Sequence, residues 1–331
     1  MLQLLRKIAF PFSLIYALVV VIRNFFYDKG FFSSISYKTP TICVGNLSVG
    51  GTGKTPMVEY LIRLLKGHKT AVLSRGYKRK SKGFLLADSK STVEDLGDEP
   101  FQMFRKFPET ALAVDADRRN GITTLEKMIK PDIILLDDAF QHRKVKPSIS
   151  ILLTAYDRLY VDDWYLPTGD LRDSRLEAKR ANLIIVTKCP KDLSNTEKEM
   201  VLKKLKPLPG QDVLFCSLKY SEVFKNSHES ISLSNLDEKK IALVTGIASP
   251  KPLVQHLEGL GLQFQHFEYG DHHYFSEQEI ARFKDFELVL TTEKDFARLK
   301  GKLENLYYLE VEHDFDVADH EILKQAVTSL L

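Results

Sequence analysis

The sequence predicts an α/β protein built on a doubly wound, mostly parallel sheet, with a second, smaller α/β domain after it. Two observations support this fold class. Short apolar runs alternate with helix-like stretches from residue 41 onward, and these runs are continuously apolar, as expected for parallel strands that helices cover on both faces. The same alternation resumes after a polar stretch at residues 221–239, which indicates the second domain.

Composition excludes several classes of protein. The chain has 331 residues, 44% hydrophobic and 27% charged, so it is neither disordered nor collagen-like. Forty-seven basic and 44 acidic residues give a net charge of +3, and we therefore expect no nucleic-acid partner. Cys43, Cys189 and Cys216 are scattered, which argues against a disulfide framework or a structural zinc site and fits a reducing compartment.

The first thirty residues predict a membrane-associated helix. Arg6 and Lys7 precede an apolar run from Ile8 to Ile22, and Arg23 follows it. Fifteen residues as a helix span about 22 Å, short of the ~30 Å hydrocarbon core. No small-residue cleavage site follows, so we expect an uncleaved segment that lies on or dips into a membrane face. The alternative is an apolar helix packed on the protein's own core.

The remaining elements follow in order. Strands of the core are expected at Thr41–Val44, Thr70–Leu73, Ile133–Leu136, Ser148–Leu153, Leu183–Val186 and Val213–Ser217. Its helices are expected at Lys54–Leu65, Glu99–Lys106, Asn120–Ile129 and Asn195–Leu205. The second domain is expected to hold strands Ile241–Thr245, Phe264–Tyr269, Leu288–Thr292 and Leu306–Val311, and a helix near Pro252–Leu260. The domains are therefore placed at residues 1–30, 31–220 and 221–331, with residues 221–239 as a linker or a loop excursion and a C-terminal end that could pack back on the core.

A glycine-rich loop is the strongest local signal. It comprises Ser48, Val49, Gly50, Gly51, Thr52, Gly53, Lys54 and Thr55. It follows a predicted strand and opens a predicted helix, as a P-loop does. Its N–H groups would surround phosphate oxygens, Lys54 would reach the β and γ phosphates, and the Thr55 hydroxyl would bind Mg²⁺. Ser48 stands where such loops usually begin with glycine. The predicted core is therefore P-loop NTPase-like.

Two carboxylates end a neighbouring strand. Asp137 and Asp138 directly follow an apolar run, and ligands of open α/β sheets bind at the carboxyl ends of strands. Because successive side chains point to opposite faces, the two are expected to have different roles: one holds Mg²⁺ and the other orients an attacking group or a lysine. The loop and the carboxylates together predict a Mg-nucleotide site.

ATP is favoured over GTP, and a kinase over a regulatory NTPase. A guanine-reading element is not supported, since Pro190 follows Thr187-Lys188-Cys189 where an aspartate is needed. Asp98 lies in a turn before a helix, and Asp271 and His272 form a pair able to take a hydroxyl proton. The basic run at residues 75–82 suits an anionic substrate or lipid headgroup. A membrane-associated regulatory P-loop NTPase remains the alternative.

With these residues in place, the chain resembles the tetraacyldisaccharide 4'-kinases, which are the lipid A kinases of Gram-negative bacteria. The resemblance runs through most of the chain. The matching segments are residues 45–56, 74–77, 97–100, 137–142, 166–169, 171–173, 271–272 and 292–295. Their order and joint presence are far more specific than any one of them.

The resemblance implies transfer of the ATP γ-phosphate to the 4'-hydroxyl of a tetraacylated glucosamine disaccharide 1-phosphate, with ATP and Mg²⁺ as cofactors. It implies a peripheral or monotopic protein on the cytoplasmic face of the inner membrane. Asp98 and His272 take the roles of a catalytic pair beside Lys54 and Asp138, and Thr55, Asp137 and Asp138 those of metal-site residues. Weaker candidates for substrate contacts are Asn46, Arg75, Arg118, Gln141, His142 and Asp173.

Two departures from the family pattern bear on these assignments. Asp173 replaces a common glutamate and shortens its reach by one methylene. His273 beside His272 leaves a register ambiguity, and His272 is chosen because it directly follows Asp271.

Overall fold

The computed structural model describes residue 6 and residues 8–226, 228–232, 236 and 239–331. The chain forms two compact units. The larger unit runs to Leu218 and resumes at His313, and the smaller unit comprises Lys219–Glu312. The C-terminal nineteen residues therefore belong to the larger unit.

The secondary structure alternates strands and helices. The strands are β1 (Thr41–Asn46), β2 (Thr70–Ser74), β3 (Leu85–Leu86), β4 (Ala111–Val114), β5 (Ile133–Asp137), β6 (Ile149–Ala155), β7 (Leu183–Thr187), β8 (Asp212–Lys225), β9 (Ser230–Ser232), β10 (Ile241–Thr245), β11 (Gln265–Glu268), β12 (Leu288–Thr292) and β13 (Leu306–Phe315). The helices are α1 (Phe10–Asp28), α2 (Lys54–Leu64), α3 (Val93–Leu96), α4 (Asp98–Lys106), α5 (Arg118–Met128), α6 (Asn195–Leu205), α7 (Lys251–Gly259), α8 (Glu277–Phe283), α9 (Glu293–Leu299) and α10 (Val317–Thr328). Two short 3₁₀ helices lie at Tyr160–Asp162 and Arg175–Arg180.

The larger unit is a doubly wound sheet, as predicted. Its strand order is β8–β7–β6–β1–β5–β2–β4–β3, and all neighbours are parallel except β3 on β4. From β1 the chain forms β2, β4 and β5 on one side and then β6, β7 and β8 on the other. The carboxyl end of β1 therefore lies where the winding reverses, which is where open α/β sheets bind ligands.

Apolar side chains cover both faces of this sheet. Along β1, Cys43 belongs to one buried cluster, which includes Ile122 and Val201 of α5 and α6. Its neighbours Ile42 and Val44 belong to the opposite cluster, which includes residues of α2 and α10. Alternate strand residues thus supply opposite cores, and this explains the continuously apolar runs in the sequence. The three cysteines are buried and free.

The helix α1 buries polar residues and exposes apolar ones, which is the reverse of the usual pattern in a soluble protein. Its buried residues are Ser13, Val20 and Asn24, whereas Phe12, Ile15 and most of its other large apolar residues are exposed. Its 19 residues span about 28 Å, so it is long and apolar enough to cross a membrane by length and composition alone, and only 17% of its most apolar stretch is buried. The expected alternative, an apolar helix packed on the protein's own core, does not describe this helix. Lys7, one of the expected basic flanks, lies outside the described residues.

The smaller unit has its own parallel sheet in the order β11–β10–β12–β13. Two buried apolar clusters flank it, one containing Leu257 of α7 and the other Phe283 of α8. The stretch 221–239 is not a simple linker, because β8 extends through Lys225 and pairs antiparallel with β9. This correction applies to the described part of that stretch, since residues 227, 233–235, 237 and 238 lie outside it.

Candidate functional site

The glycine-rich loop joins β1 to α2 in a conformation that two of its glycines make possible. Gly50 and Gly53 have φ values of +114° and +84°, in the region that residues with a Cβ rarely adopt. Gly53 caps α2 without a side-chain hydrogen bond from the described residues. The first amides of α2 are thereby presented at its N-terminus, where the helix dipole favours an anion.

Asn46 and Thr187 form side-chain hydrogen bonds that hold the glycine-rich loop. Asn46 is fully buried, and its Nδ2 donates to the Thr52 hydroxyl at 2.9 Å. The Thr187 hydroxyl, at the end of β7, donates to the Thr52 carbonyl at 2.9 Å. Gln141 Nε2 donates to the Asn46 carbonyl at 2.8 Å. The weaker substrate candidates Asn46 and Gln141 thus have positions beside the loop.

Lys54 and Arg172 converge on Asp138. Lys54 Nζ lies 3.7 Å from Asp138 Oδ1 and 3.4 Å from Asn46 Oδ1. Arg172 makes a two-pronged contact with Asp138, with one prong at 3.0 Å between NH1 and Oδ2. Burial pushes the pKa of Asp138 upward, but Lys54 and Arg172 outweigh it and hold that pKa well below its usual range. Asp138 is therefore an ionised partner that fixes two cations near the loop.

Asp137 has a different environment. Its Oδ2 accepts from the Ser74 hydroxyl at 2.8 Å, while Oδ1 is buried with no hydrogen-bond partner among the described residues. Burial, with the nearby negative charges of Glu99 and Asp138, raises the pKa of Asp137 above its ordinary value. A buried carboxylate oxygen that lacks a donor is suited to a cation.

The other loop residues differ in exposure. Ser48 is buried and its hydroxyl has no partner among the described residues. Val49 is half-exposed, and its amide donates to the Asp170 carbonyl at 2.6 Å. Gly51 is exposed, and Thr55 lies in the first turn of α2.

Asp98 is the first residue of α4 in the larger unit and is 8% exposed. Gly97 before it has φ +88°, and a Cβ there would lie 2.8 Å from the Tyr77 carbonyl oxygen. The turn that presents Asp98 therefore packs directly on the loop that carries the basic run, and Gly97 permits this approach.

His272 belongs to the smaller unit, where two cations of α9 flank it. Its Nε2 lies 3.2 Å from Lys294 Nζ, and its Nδ1 lies 3.1 Å from Arg298 NH2. Asp271 pairs with Lys294 at 3.0 Å. His273 faces Glu279 instead, at 3.1 Å, so the two adjacent histidines have different surroundings.

Two of the weaker candidates for substrate contacts are buried and form hydrogen bonds within the protein. Arg118 is 2% exposed and donates to the carbonyls of Asp115 and Asp137 at 2.7 and 3.0 Å. Asp173 is fully buried and accepts from Asn24 Nδ2 at 2.7 Å. Both have structural roles: Arg118 supports the backbone that carries Asp137, and Asp173 anchors α1. Their contact with substrate stays a prediction.

The remaining candidates are more open. Arg75 is exposed, whereas His142 is partly buried, and burial followed by the charge of Arg118 lowers its pKa to about 4. Within the basic run, Arg79 donates to the carbonyls of Val114 and Gly83, so it holds the loop. Lys78, Lys80 and Lys82 are exposed.

Arg172 was predicted only as part of residues 171–173, a weaker candidate segment for substrate contacts, and its pairing with Asp138 was not predicted. It stands in a segment chosen for Asp173, and its partner Asp138 lies 34 residues away in the chain. Only the sheet order reveals the pair. The one available signal in the sequence was a basic residue beside Asp173, and this signal did not indicate Asp138 as its partner.

The segment Thr168–Asp173, here called the bridging segment, touches both α1 and the glycine-rich loop. On the α1 side, Ser13 and Thr168 hydroxyls are 2.8 Å apart, and Tyr16 OH donates to the Arg172 carbonyl at 3.1 Å. On the loop side, the Arg172 amide donates to the Leu47 carbonyl at 2.8 Å. The segment that positions Arg172 is therefore itself held by α1.

Comparisons with known proteins cover nearly the whole chain. A sequence model of the family described as Tetraacyldisaccharide-1-P 4'-kinase matches residues 5–331. The chain is similar to the tetraacyldisaccharide 4'-kinase of Flavobacterium johnsoniae, at 48% identity over 98% of both chains. That of Bacteroides thetaiotaomicron is 46% identical over 89% of this chain and 83% of its own length.

A solved structure matches the fold as well. It is described as the "apo" form of LpxK from Aquifex aeolicus in complex with ATP, with a TM-score of 0.79, 30% identity, and coverage of 98% of this chain and 99% of that one. On the strength of the family match over nearly the whole chain, this protein belongs to the tetraacyldisaccharide-1-phosphate 4'-kinase family.

Proposed function

We propose that this protein is a lipid kinase, which transfers the γ-phosphate of ATP to the 4'-hydroxyl of a tetraacylated glucosamine disaccharide 1-phosphate and so forms lipid IVA in lipid A biosynthesis. The observation that carries this proposal is the convergence of Lys54 and Arg172 on Asp138 beside the loop. The regulatory NTPase is not favoured, because relatives matching nearly the whole chain are named as kinases.

The larger unit supplies what phosphoryl transfer requires. Catalysis of this reaction consists mainly of positioning and charge neutralisation. The loop amides would hold the phosphates, and Lys54 would contact the transferred group. Arg172 would neutralise charge that develops in the transition state, and Asp138 keeps both cations in place before the substrate arrives.

Mg²⁺ fits the donors at this site. The orphan Oδ1 of Asp137 is a buried acceptor with no donor among the described residues, and the Thr55 hydroxyl lies in the first turn of α2. We assign Thr55 and Asp137 as its protein contacts, with Asp138 serving the cations Lys54 and Arg172. When bound, Mg²⁺ would supply neutralisation of phosphate charge.

Asp98 is proposed as the base that accepts the proton of the sugar hydroxyl, with His272 assisting. Asp98 lies at the start of α4, against the loop of the exposed lysines. This position suits a carboxylate that must meet a phosphorylated sugar near a lipid surface. His272 is held in place by its contacts with Lys294 and Arg298 of α9.

The protein is proposed to work at the cytoplasmic face of the inner membrane. The substrate's acyl chains keep it in the bilayer, so the enzyme must reach it there. The exposed apolar face of α1 would enter the membrane, and Lys78, Lys80 and Lys82 would meet anionic headgroups.

The experiment uses purified protein, γ-labelled Mg-ATP and the disaccharide 1-phosphate lipid in detergent micelles. We expect label on the lipid, and its loss in Lys54→Ala and Asp98→Ala. Arg63→Ala, at an exposed position on the same helix as Lys54, is the control and should retain activity. Label released only as inorganic phosphate, whatever lipid is added, would favour the NTPase.

A further inference from the structure

We propose that His313 is a positioning residue of the glycine-rich loop, which fixes the direction of backbone N–H groups that meet the nucleotide phosphates. This inference rests on the proposed ATP site. His313 is 3% exposed, and its Nε2 lies 2.9 Å from the Gly53 carbonyl oxygen. The ring also packs on Gly53, since a Cβ there would lie 2.8 Å from His313 Cε1. The close approach therefore depends on glycine at position 53.

The planar peptide bond transmits this contact to the phosphate side. In a trans peptide, the carbonyl of one residue and the N–H of the next point in opposite directions. The Gly53 carbonyl accepts from the Met57 amide of α2 at 3.1 Å and from His313, so the Lys54 N–H is directed the other way. Thr187 holds the Thr52 carbonyl in the same manner at 2.9 Å, which directs the Gly53 N–H. Residues outside the loop thus set the direction of two successive backbone N–H groups, as an anion-binding concavity requires.

The imidazole is itself fixed. Its Nδ1 faces the Cys216 thiol of β8 at 3.4 Å, and burial lowers its pKa to about 4. The ring is therefore neutral near pH 7. Because a carbonyl oxygen can only accept, the contact with Gly53 requires the ring N–H to lie on Nε2.

The test compares His313→Gln with His313→Phe in the full-length protein. Gln can place an amide N–H near the position of Nε2, whereas Phe keeps the ring shape without a donor. We expect Phe to raise the Kd for ATP roughly tenfold, as loss of one ordering hydrogen bond would, with the KM for lipid unchanged. Gln should restore the Kd to within about threefold. His320→Phe is the matched control, because His320 contacts Tyr60 of α2 and not the loop.

Each result has a defined meaning. If wild-type protein binds no ATP, the proposed function fails. If wild-type binds ATP and both His313 variants bind it equally well, with only the melting temperature lowered, His313 merely packs the core and the inference is overturned. It is also overturned if Gln binds as poorly as Phe. Should Phe not fold, His313→Asn replaces it: its shorter amide falls short of the carbonyl, and an unchanged Kd would contradict the proposal.

Discussion

At the scale of single residues, adjacent aspartates of one strand end have opposite acid–base character. Asp138 is paired with Lys54 and Arg172, and these cations lower its pKa. Asp137 is buried beside like charges, and its pKa is raised. Sequence reasoning expected different roles because the two side chains leave the strand on opposite sides. The sequence did not indicate which aspartate is better suited to bind a cation, because it does not show which hydrogen-bond donors surround each carboxylate.

The raised pKa of Asp137 predicts that its replacement by a neutral residue increases stability and removes activity. A carboxyl with a raised folded-state pKa destabilises the fold above that pKa, and the penalty disappears as pH falls and the proton binds. Asp137→Asn should therefore raise the melting temperature without Mg²⁺ at pH 8 by about 2 °C, and by less at pH 5, while abolishing kinase activity. Differential scanning fluorimetry at both pH values measures this.

The control for that prediction is the neighbouring residue. Asp138→Asn removes a carboxylate whose pKa is lowered, so it should lower the melting temperature at pH 8. Equal shifts in the two variants would contradict the assignment of distinct environments.

A second prediction concerns Arg172. Arg172→Ala should lower kcat by about 10²–10³-fold, as removal of a preorganised charge stabiliser does. Arg172→Lys should recover part of this loss, because it keeps the charge but not the two-pronged geometry. Steady-state lipid kinase assays measure both. Arg175→Ala, at a nearby exposed arginine, should leave kcat unchanged, and an equal loss there would indicate a general disturbance of the segment.

At the scale of elements, α1 shows why an apolar run of intermediate length is ambiguous in sequence. The run predicted a helix, but only the structure shows that Ser13 and Asn24 face the protein while the apolar residues face outward. Hydrophobic periodicity reports an apolar face, not what covers it. Continuously apolar strands were easier to predict, because burial on both faces leaves a direct signature. The short strands β3, β4 and β9 and the helices α3, α8, α9 and α10 were not predicted.

The exposed face of α1 predicts membrane binding that can be removed without harming the nucleotide site. Replacing Phe12, Ile15 and Val19 together by Ser should abolish sedimentation with anionic lipid vesicles, because the apolar area that enters the bilayer is lost. The Kd for ATP should stay unchanged. The control changes exposed Met128, Leu176 and Val317 to Ser, and vesicle binding should persist. Binding retained by the α1 variant would remove the anchor from the proposal.

At the scale of the whole molecule, the residues assigned to proton transfer come from different units, with Asp98 in the larger and His272 in the smaller. The residues themselves singled out Asp98 and His272 separately, and only the family resemblance paired them, because their separation in the chain gave no reason to do so. The fold class and the phosphate loop, in contrast, followed from local physics: strand burial, glycine conformation and helix N-terminal amides. Arg172 and His313 could not be found in this way, since each acts through a partner distant in sequence.

If Asp98 and His272 act together, their effects should not multiply. Asp98→Ala and His272→Ala should each lower kcat by about 10²–10⁴-fold, and the double variant should be little worse than the poorer single variant. Single-turnover phosphorylation of the lipid substrate measures this. Fully multiplicative losses would mean that the two residues contribute independently.

The bridging segment also bears on how the enzyme could be made soluble. Removing α1 to avoid detergent would take away Ser13, Tyr16 and Asn24, whose side chains hold Thr168, Arg172 and Asp173. A truncated enzyme would thus lose the support of Arg172 along with the exposed apolar face of α1, and poor activity would be misread as a need for the membrane. Soluble variants are better sought by changing the outer face of α1 and leaving its inner stripe intact.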